Sequence, residues 1–225
     1  MNVSTENYLK ILFMLQRTHL GYVKTSSLAK RLTVAPSSVT EMVKKLADKG
    51  LLTYSPYKGV RLTDSGLNEG RNMVRRHRII ELFLHDVLGV SWTKVHQEAE
   101  QLEHVVSDDL INRMEKVLDF PKYDPHGDPI PSKEGVIPDQ GELIMLKDAE
   151  LGLHYKVVRV LDEGEDFLTF VEKLGLYLNQ RVKVVSILSF DQSLELETGS
   201  GNVQVSGYVA KHIWVSKLSD REVCA

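Results

Sequence analysis

Two imidazoles and two carboxylates fall at positions 96, 100, 103 and 104, within Val95-His96-Gln97-Glu98-Ala99-Glu100-Gln101-Leu102-Glu103-His104. If this stretch is helical, offsets of i, i+4, i+7 and i+8 keep His96, Glu100, Glu103 and His104 on about a third of the circumference, at roughly 100° per residue. His77 and Glu81 repeat the i, i+4 arrangement on the segment before. Imidazole nitrogens and carboxylate oxygens are the donors of first-row divalent cations, and helical bundles hold such ions with ligands from facing helices. Each pair taken singly also has the plainer use of a solvated i, i+4 ion pair. Two constellations on successive helices favour metal. His and Glu on two helices could also activate water, so a metal-dependent hydrolase or oxidase stands as a rival, against which the chain lacks an H-E-x-x-H pattern.

A second set of residues suits a polyanion. Ser37, Ser38, Thr40, Glu41, Lys44 and Lys45 make up the polar side of a helix whose buried stripe is Val39, Met42, Val43 and Leu46. Small hydroxyls near a helix N-terminus can donate to phosphates or base edges, and lysines add attraction to phosphate that is independent of sequence. Ser37 serves equally well as the cap of its own helix, and the lysines as solvated charge. Tyr57 and Lys58 lie between two short strand-like runs, at what reads as the tip of a hairpin.

The elements that must position these side chains follow from apolar spacing and breakers. A first helix is expected over residues 4–16, with Ser4 as N-cap and Tyr8, Leu9, Ile11, Leu12 and Leu15 on its apolar face. Thr25–Leu32 reads as a short second helix, Thr33-Val34-Ala35-Pro36 as a turn, and Ser37 onward as a third helix closed by Gly50. Leu51–Tyr54 and Val60–Thr63 complete the order of a winged helix-turn-helix, whose third helix enters the major groove. A long helix is expected from Asp64, a break at Gly89-Val90-Ser91, and a further helix from about Trp92 to Leu102 or beyond. Residues 128–140, with Pro129, Pro131, Gly135 and Pro138, read as an extended linker. Beyond it, the runs Glu142–Leu146, Tyr155–Leu161, Val182–Ile187, Leu194–Glu197, Val203–Val205 and His212–Val215 read as short strands of a small β-barrel, with one helix over Asp166–Lys173. His154 and His212 have no spaced partner and are assigned to surface or packing roles. The expected class is mostly α with a small β part, divided as 1–73, 74–136 and 141–219.

Composition narrows the function. The 225 residues are 42% hydrophobic and 26% charged, the balance of a globular chain. No apolar run approaches the roughly 18 residues of a spanning helix, and Ile11–Leu15 is too short and too closely flanked by Glu6 and Lys10 for a secretory signal. The single cysteine, Cys224, permits no internal disulfide and no thiolate-rich metal site, so the cytoplasm is the expected compartment. Residues 1–78 hold 14 Lys and Arg against 5 Asp and Glu, and the remainder 14 against 26, so a net charge of −3 hides local charges of +9 and −12. The basic third is the one with the helix-turn-helix pattern, as a DNA reader requires.

Taken together, these residues resemble the diphtheria-toxin-repressor and manganese-transport-regulator family of metal-dependent transcriptional repressors. The matching segments are Glu6-Asn7-Tyr8-Leu9, Pro36-Ser37-Ser38-Val39-Thr40-Glu41-Met42-Val43, Arg76-His77-Arg78, Val95-His96, Glu98-Ala99-Glu100, Glu103-His104-Val105-Val106-Ser107 and Pro125-His126-Gly127, in family order over about residues 4–131. The resemblance implies a homodimer that binds double-stranded operator DNA when loaded with divalent metal, and a C-terminal SH3-like domain. It implies an effector site of Asn7, Glu100, Glu103 and His104, and an ancillary site of His77, Glu81 and His96. Asp124 and His126 match a longer branch of manganese regulators in which a Cys-Pro-His stretch helps bind metal, and a carboxylate at Asp162 or Glu163 would complete that site. Glu100 stands where iron-responsive members usually have Cys, a harder ligand that favours Mn²⁺ as effector over Fe²⁺. Asn7 replaces a carboxylate, and Lys10 occupies the place of a second acidic ligand in some manganese regulators, which disfavours a two-metal centre.

Overall fold

The computed structural model describes residues 2–18, 21–161 and 164–219. Asp162, Glu163 and Cys224 lie outside the described residues. The described residues fall into two compact units, one within 1–80, 98–121 and 130–137, the other within 81–97, 122–129 and 138–225.

In the first unit, helix α1 spans Val3–Thr18 and buries Tyr8, Leu9, Leu12 and Phe13. Its first turn is closed by Asn2, whose Oδ1 accepts from the Thr5 N–H at 2.9 Å, so Asn2 takes the capping part expected of Ser4. Helix α2 (Thr25–Leu32) ends on Thr33, a left-handed residue at φ 55°. Helix α3 spans Pro36–Asp48, with proline at its first turn and Val39, Val43 and Leu46 fully buried. Ala35 precedes it and no side chain caps it, so Ser37 is not the cap that its type allowed. Gly50 follows at φ +70°.

Strands β1 (Leu52–Ser55) and β2 (Gly59–Leu62) pair antiparallel with Leu52 opposite Leu62, and Val23 bridges to Val60. Gly59 has to be glycine: its φ is +116°, and a Cβ there would lie 2.2 Å from the Val23 carbonyl oxygen. Helix α4 runs unbroken over Asp64–Asp86, and α5 over Val95–Leu102. A further helix, α6 (Asp108–Val117), is absent from the sequence expectation; Ser107 caps it, accepting from the Leu110 N–H at 3.3 Å.

The stretch expected as a linker is partly folded into this unit. Ile130 is buried, the Ser132 N–H donates to the Val136 carbonyl at 2.8 Å, and Ile137 packs against the helical core.

The second unit is built on a six-stranded antiparallel sheet in the order β3-β8-β4-β5-β6-β7. These strands are β3 (Ile144–Met145), β4 (His154–Val160), β5 (Arg181–Ile187), β6 (Leu194–Thr198), β7 (Gly201–Val205) and β8 (Ile213–Lys217). Register shifts between Val157 and Arg159 and between Val184 and Ser186 bend the strands, as closure of a small sheet around a core requires. Helix α7 (Glu165–Lys173) lies between β4 and β5 in the chain, and the short α8 (Gly207–Ala210) precedes β8. Tyr155, Leu146, Leu168, Leu176, Val184 and Ile213 fill the core, joined by Trp92. His212 packs its ring against Phe167 and Tyr208, in keeping with the packing role assigned to it.

Candidate metal centre and nucleic-acid interface

Helix α1 carries Glu6, Asn7 and Lys10 among apolar neighbours, so burying its apolar face also draws polar groups inward. Lys10 is 4% exposed and Glu103 is fully buried. The Lys10 ammonium donates to Glu103 Oε1 at 2.6 Å and to Glu100 Oε1 at 2.5 Å. The other oxygen of Glu103, Oε2, meets His77 Nδ1 at 2.5 Å. Burial alone would raise the Glu103 pKa, but the bonds and charges of His77 and Lys10 outweigh it and hold the carboxyl below the usual carboxylate range. Glu103 is therefore an ionised group at neutral pH despite its burial.

His104 stands beside this centre. Its Nδ1 meets Glu6 Oε2 at 2.6 Å, and its Nε2 lies 3.3 Å from Glu103 Oε1 without hydrogen-bond geometry. The Asn7 Oδ1 atom is likewise buried with no hydrogen-bond partner. Leaving such an atom unsatisfied costs about 1–3 kcal/mol, a debt that coordination of a cation would cancel. His77, Glu100 and Glu103 also offer ligand atoms that all lie within 4.8 Å of one another. Oxygen and imidazole donors gathered at this spacing fit a hard or borderline divalent cation.

The four residues singled out at positions 96–104 do not share one face. Helix α5 ends at Leu102, and His104 lies in the turn that follows. The Glu103 N–H still donates to the Ala99 carbonyl at 2.9 Å, so the helical path reaches Glu103 before it breaks. Glu100, Glu103 and His104 gather with residues of α1 and α4. His96 instead places Nδ1 3.0 Å from Glu81 Oε1, which is buried, while His77 and Glu81 stand one turn apart on α4. Glu6 was missed as a partner of His104. The available signal was a polar triplet, Glu6, Asn7 and Lys10, interrupting an otherwise apolar helix face.

Asp124 and His126 are both buried. Asp124 Oδ1 accepts from the backbone N–H groups of His126 at 2.9 Å and Asp128 at 2.8 Å, so this carboxylate shapes a turn. Gly127, at φ +85°, closes that turn where a Cβ would lie 2.1 Å from the Val158 carbonyl oxygen. The His126 ring lies 5.4 Å from that of Trp92, and neither His126 nor Asp124 belongs to a cluster of three ligand atoms among the described residues.

On the opposite chemistry, α3 exposes Ser37, Ser38, Glu41, Lys44 and Lys45. Thr40 is half-buried and its hydroxyl donates to the Pro36 carbonyl at 3.0 Å, which commits its proton to its own helix. Tyr57 is wholly exposed at φ 69°, and Lys58 beside it is exposed as well. The α3 set and the hairpin tip thus both reach solvent.

Residues 1–60 match the model of the iron-dependent-repressor N-terminal DNA-binding domain, and residues 63–132 that of the iron-dependent-repressor metal-binding and dimerisation domain. The chain belongs to the iron-dependent-repressor family. Members of this family are metal-dependent, DNA-binding transcriptional regulators, so the resemblance read from the sequence is borne out. Residues 144–217 match the FeoA domain, the SH3-like fold expected for the β unit. The iron-dependent repressor IdeR of Mycobacterium tuberculosis is 33% identical over 192 residues, 80% of this chain and 83% of its own. The regulator MntR of Shouchella clausii is 38% identical over 117 residues, 52% of this chain and 80% of its own. A manganese-dependent transcriptional repressor solved in complex with manganese shares 37% identity, with a TM-score of 0.87 over 95% of this chain and 100% of that one.

Proposed function

We propose that this family member is a Mn²⁺-responsive repressor of metal-uptake genes, acting in the cytoplasm as a homodimer on double-stranded operator DNA. The observation that carries the reading is the donor set around buried Glu103: carboxylate, amide oxygen and imidazole only, with two buried atoms, Asn7 Oδ1 and His104 Nε2, lacking a hydrogen-bond partner. Asn7, Glu100, Glu103 and His104 would hold the effector ion. His77, Glu81 and His96 would form the ancillary set, extended by Asp124, His126 and Glu163. Bound among them, a divalent cation would supply the positive charge that these carboxylates and imidazoles neutralise. Residues 1–73 would read DNA, 74–136 bind metal and pair the protomers, and 141–219 form the SH3-like domain.

The mechanism is a linkage. Glu6, Asn7 and Lys10 sit on the first helix of the DNA-binding domain, while Glu100, Glu103 and His104 lie at the end of α5. Any ligand that favours one arrangement of these two elements shifts the population toward it, and operator and effector then strengthen each other's binding reciprocally. Ser37, Ser38, Thr40, Lys44 and Lys45 would contact the major groove and its phosphates, with Tyr57 and Lys58 contacting the flanking backbone or minor groove.

Fe²⁺ is the second reading, favoured by the identity to an iron-dependent repressor over most of the chain. An anaerobic titration of Mn²⁺, Fe²⁺, Co²⁺ and Zn²⁺ against fluorescent DNA from the gene's own upstream region tests both. Mn²⁺ should give tight binding at the lowest free concentration. Equal binding in chelator and in Mn²⁺ would end the sensing reading, and preference for Fe²⁺ would reassign the effector. The proposal includes no catalysis, and metal-dependent turnover of esters or phosphoesters by the purified protein would count against it.

A further inference from the structure

Glu41 is an acid in the middle of a row of hydroxyls and ammonium groups on α3. Val39, Val43 and Leu46 of this helix are fully buried. At roughly 100° per residue, Glu41 points about 170° away from the mean direction of that buried stripe. Ser37 and Lys44 lie to one side of it and Ser38 and Lys45 to the other, each within about 60°. All five are exposed. Asp48 shares the face but stands at the C-terminal end of the helix, whereas the N-terminal residues of a recognition helix are the ones that contact bases. When such a helix enters the major groove, the middle of the polar face meets the base edges and its flanks meet the walls, which carry the phosphates.

A carboxylate in that place weakens binding to any DNA, because phosphate repels it. The Glu41 carboxylate makes no hydrogen bond or ion pair among the described residues, although Lys44 and Lys45 stand three and four positions on. Its oxygens are open to a donor from outside the chain. In the major groove guanine N7 and O6 and thymine O4 are acceptors, which repel a carboxylate. Adenine N6 donates with the N7 acceptor of the same base beside it, while cytosine N4 donates from a base that shows no acceptor there. A glutamate at the groove centre therefore attracts cytosine and rejects guanine and thymine by repulsion. Its neighbours lack this selectivity: a serine hydroxyl both donates and accepts, and a lysine is satisfied by phosphate.

We infer that Glu41 is a specificity-determining residue, accepting a hydrogen bond from the N4 amino group of a cytosine in the major groove, one in each half-site of a two-fold operator. This rests on the DNA-binding reading above and names a base that the reading leaves open.

The test reads base preference. Wild type, Glu41→Gln and Glu41→Ala, each loaded with Mn²⁺ and checked for folding by circular dichroism, select binding sites from duplexes of randomised sequence. Affinities for the selected duplexes and for mixed-sequence DNA are then measured by fluorescence anisotropy. The wild type should require cytosine at one position of each half-site, any other base there weakening binding about 10-fold or more. Glu41→Gln should shift that position toward adenine, whose N6 and N7 suit a side-chain amide, and Glu41→Ala should leave it degenerate. Both variants should bind mixed-sequence DNA about 5-fold more tightly, the effect of removing one like-charge contact at roughly 4 Å in water. A wild type that selects no sequence with Mn²⁺ or, anaerobically, with Fe²⁺ defeats the DNA-binding reading itself. A wild-type site that both variants share unchanged defeats only the part given to Glu41, as does a variant-sensitive position at which the wild type prefers a base other than cytosine.

Discussion

Glu103 and Glu81 are both buried carboxylates that face an imidazole, yet they are compensated differently. Glu103 meets the ammonium of Lys10 from α1 in addition to His77. Glu81 meets His96, whose side chain is 43% exposed and whose charge depends on its proton. At Glu103 the chain itself provides fixed positive charge, so the geometry is set in advance and little reorganisation is needed on loading. At Glu81 the visible partner is a group that can give up its proton and become a metal ligand, with one edge open to solvent.

Removal of the donors on the Glu103 side should have the largest effect. Glu103→Gln and His104→Ala should each lower Mn²⁺-activated operator affinity by about 100-fold or more, measured by fluorescence anisotropy. Glu103→Gln should in addition destabilise the metal-free protein by about 1–3 kcal/mol in urea unfolding, because the buried Lys10 keeps only Glu100 as a charged partner and His77 loses its carboxylate. Activation that survives either change would remove that residue from the effector site.

On the Glu81 side the effect should be smaller. Glu81→Gln or His96→Ala should move the metal midpoint by about 10-fold while full repression remains attainable at high Mn²⁺. Loss of activation as complete as at His104 would erase the proposed ranking of the two sites.

Charge on α3 lies outside both clusters and supplies a control. Lys44→Ala and Lys45→Ala should weaken DNA binding uniformly across sequences and lower the slope of log affinity against log salt by about 1 each, with metal affinity unchanged.

The smallest effect concerns protons. The folded pKa of Glu103 is lowered relative to the unfolded chain, so its contribution to stability is present above the unfolded carboxylate value of about 4.3 and is lost as pH falls through the folded value. The stability gap between metal-free wild type and Glu103→Gln should therefore be flat near neutrality and close as the pH drops below about 4. A gap that widens on acidification would contradict the ionised state assigned to Glu103.

Much of the frame was legible because local signals and tertiary burial agree. Thr25–Leu32 and the start of α4 at Asp64 are marked by breakers and apolar spacing that the structure uses as they stand, while the turn expected over Thr33–Pro36 is one residue shorter because Pro36 already opens α3. The end of α5 was not legible: the offsets of His96, Glu100, Glu103 and His104 continue a helical pattern past Leu102, although the chain turns before His104. Helix α6 was missed although Ser107 and Asp108-Asp109 mark its start, because only Ile111 on it is buried within the chain and its apolar pattern is correspondingly thin. The partners of Glu103 could be read only in part. His77 was recognisable by type, whereas the ion pair from Lys10 joins residues 93 positions apart, a distance over which spacing carries no information. The expectation of Ser4 as a cap, and the capping alternative for Ser37, fail for a related reason: α1 begins at Val3 behind Asn2 and α3 at Pro36 behind Ala35, and side-chain type alone does not fix which residue lies at the boundary.

The ammonium of Lys10 has one more consequence. A charge attached by a covalent stem does not obey mass action: it cannot be diluted, chelated or outcompeted when the surroundings run short of metal. Part of the positive charge around Glu103 is thus inherited with the polypeptide, and only the remainder is drawn from the medium. Such a charge adds a constant term to the free energy of loading, so it sets where on the concentration scale an ion binds and not how steeply binding rises.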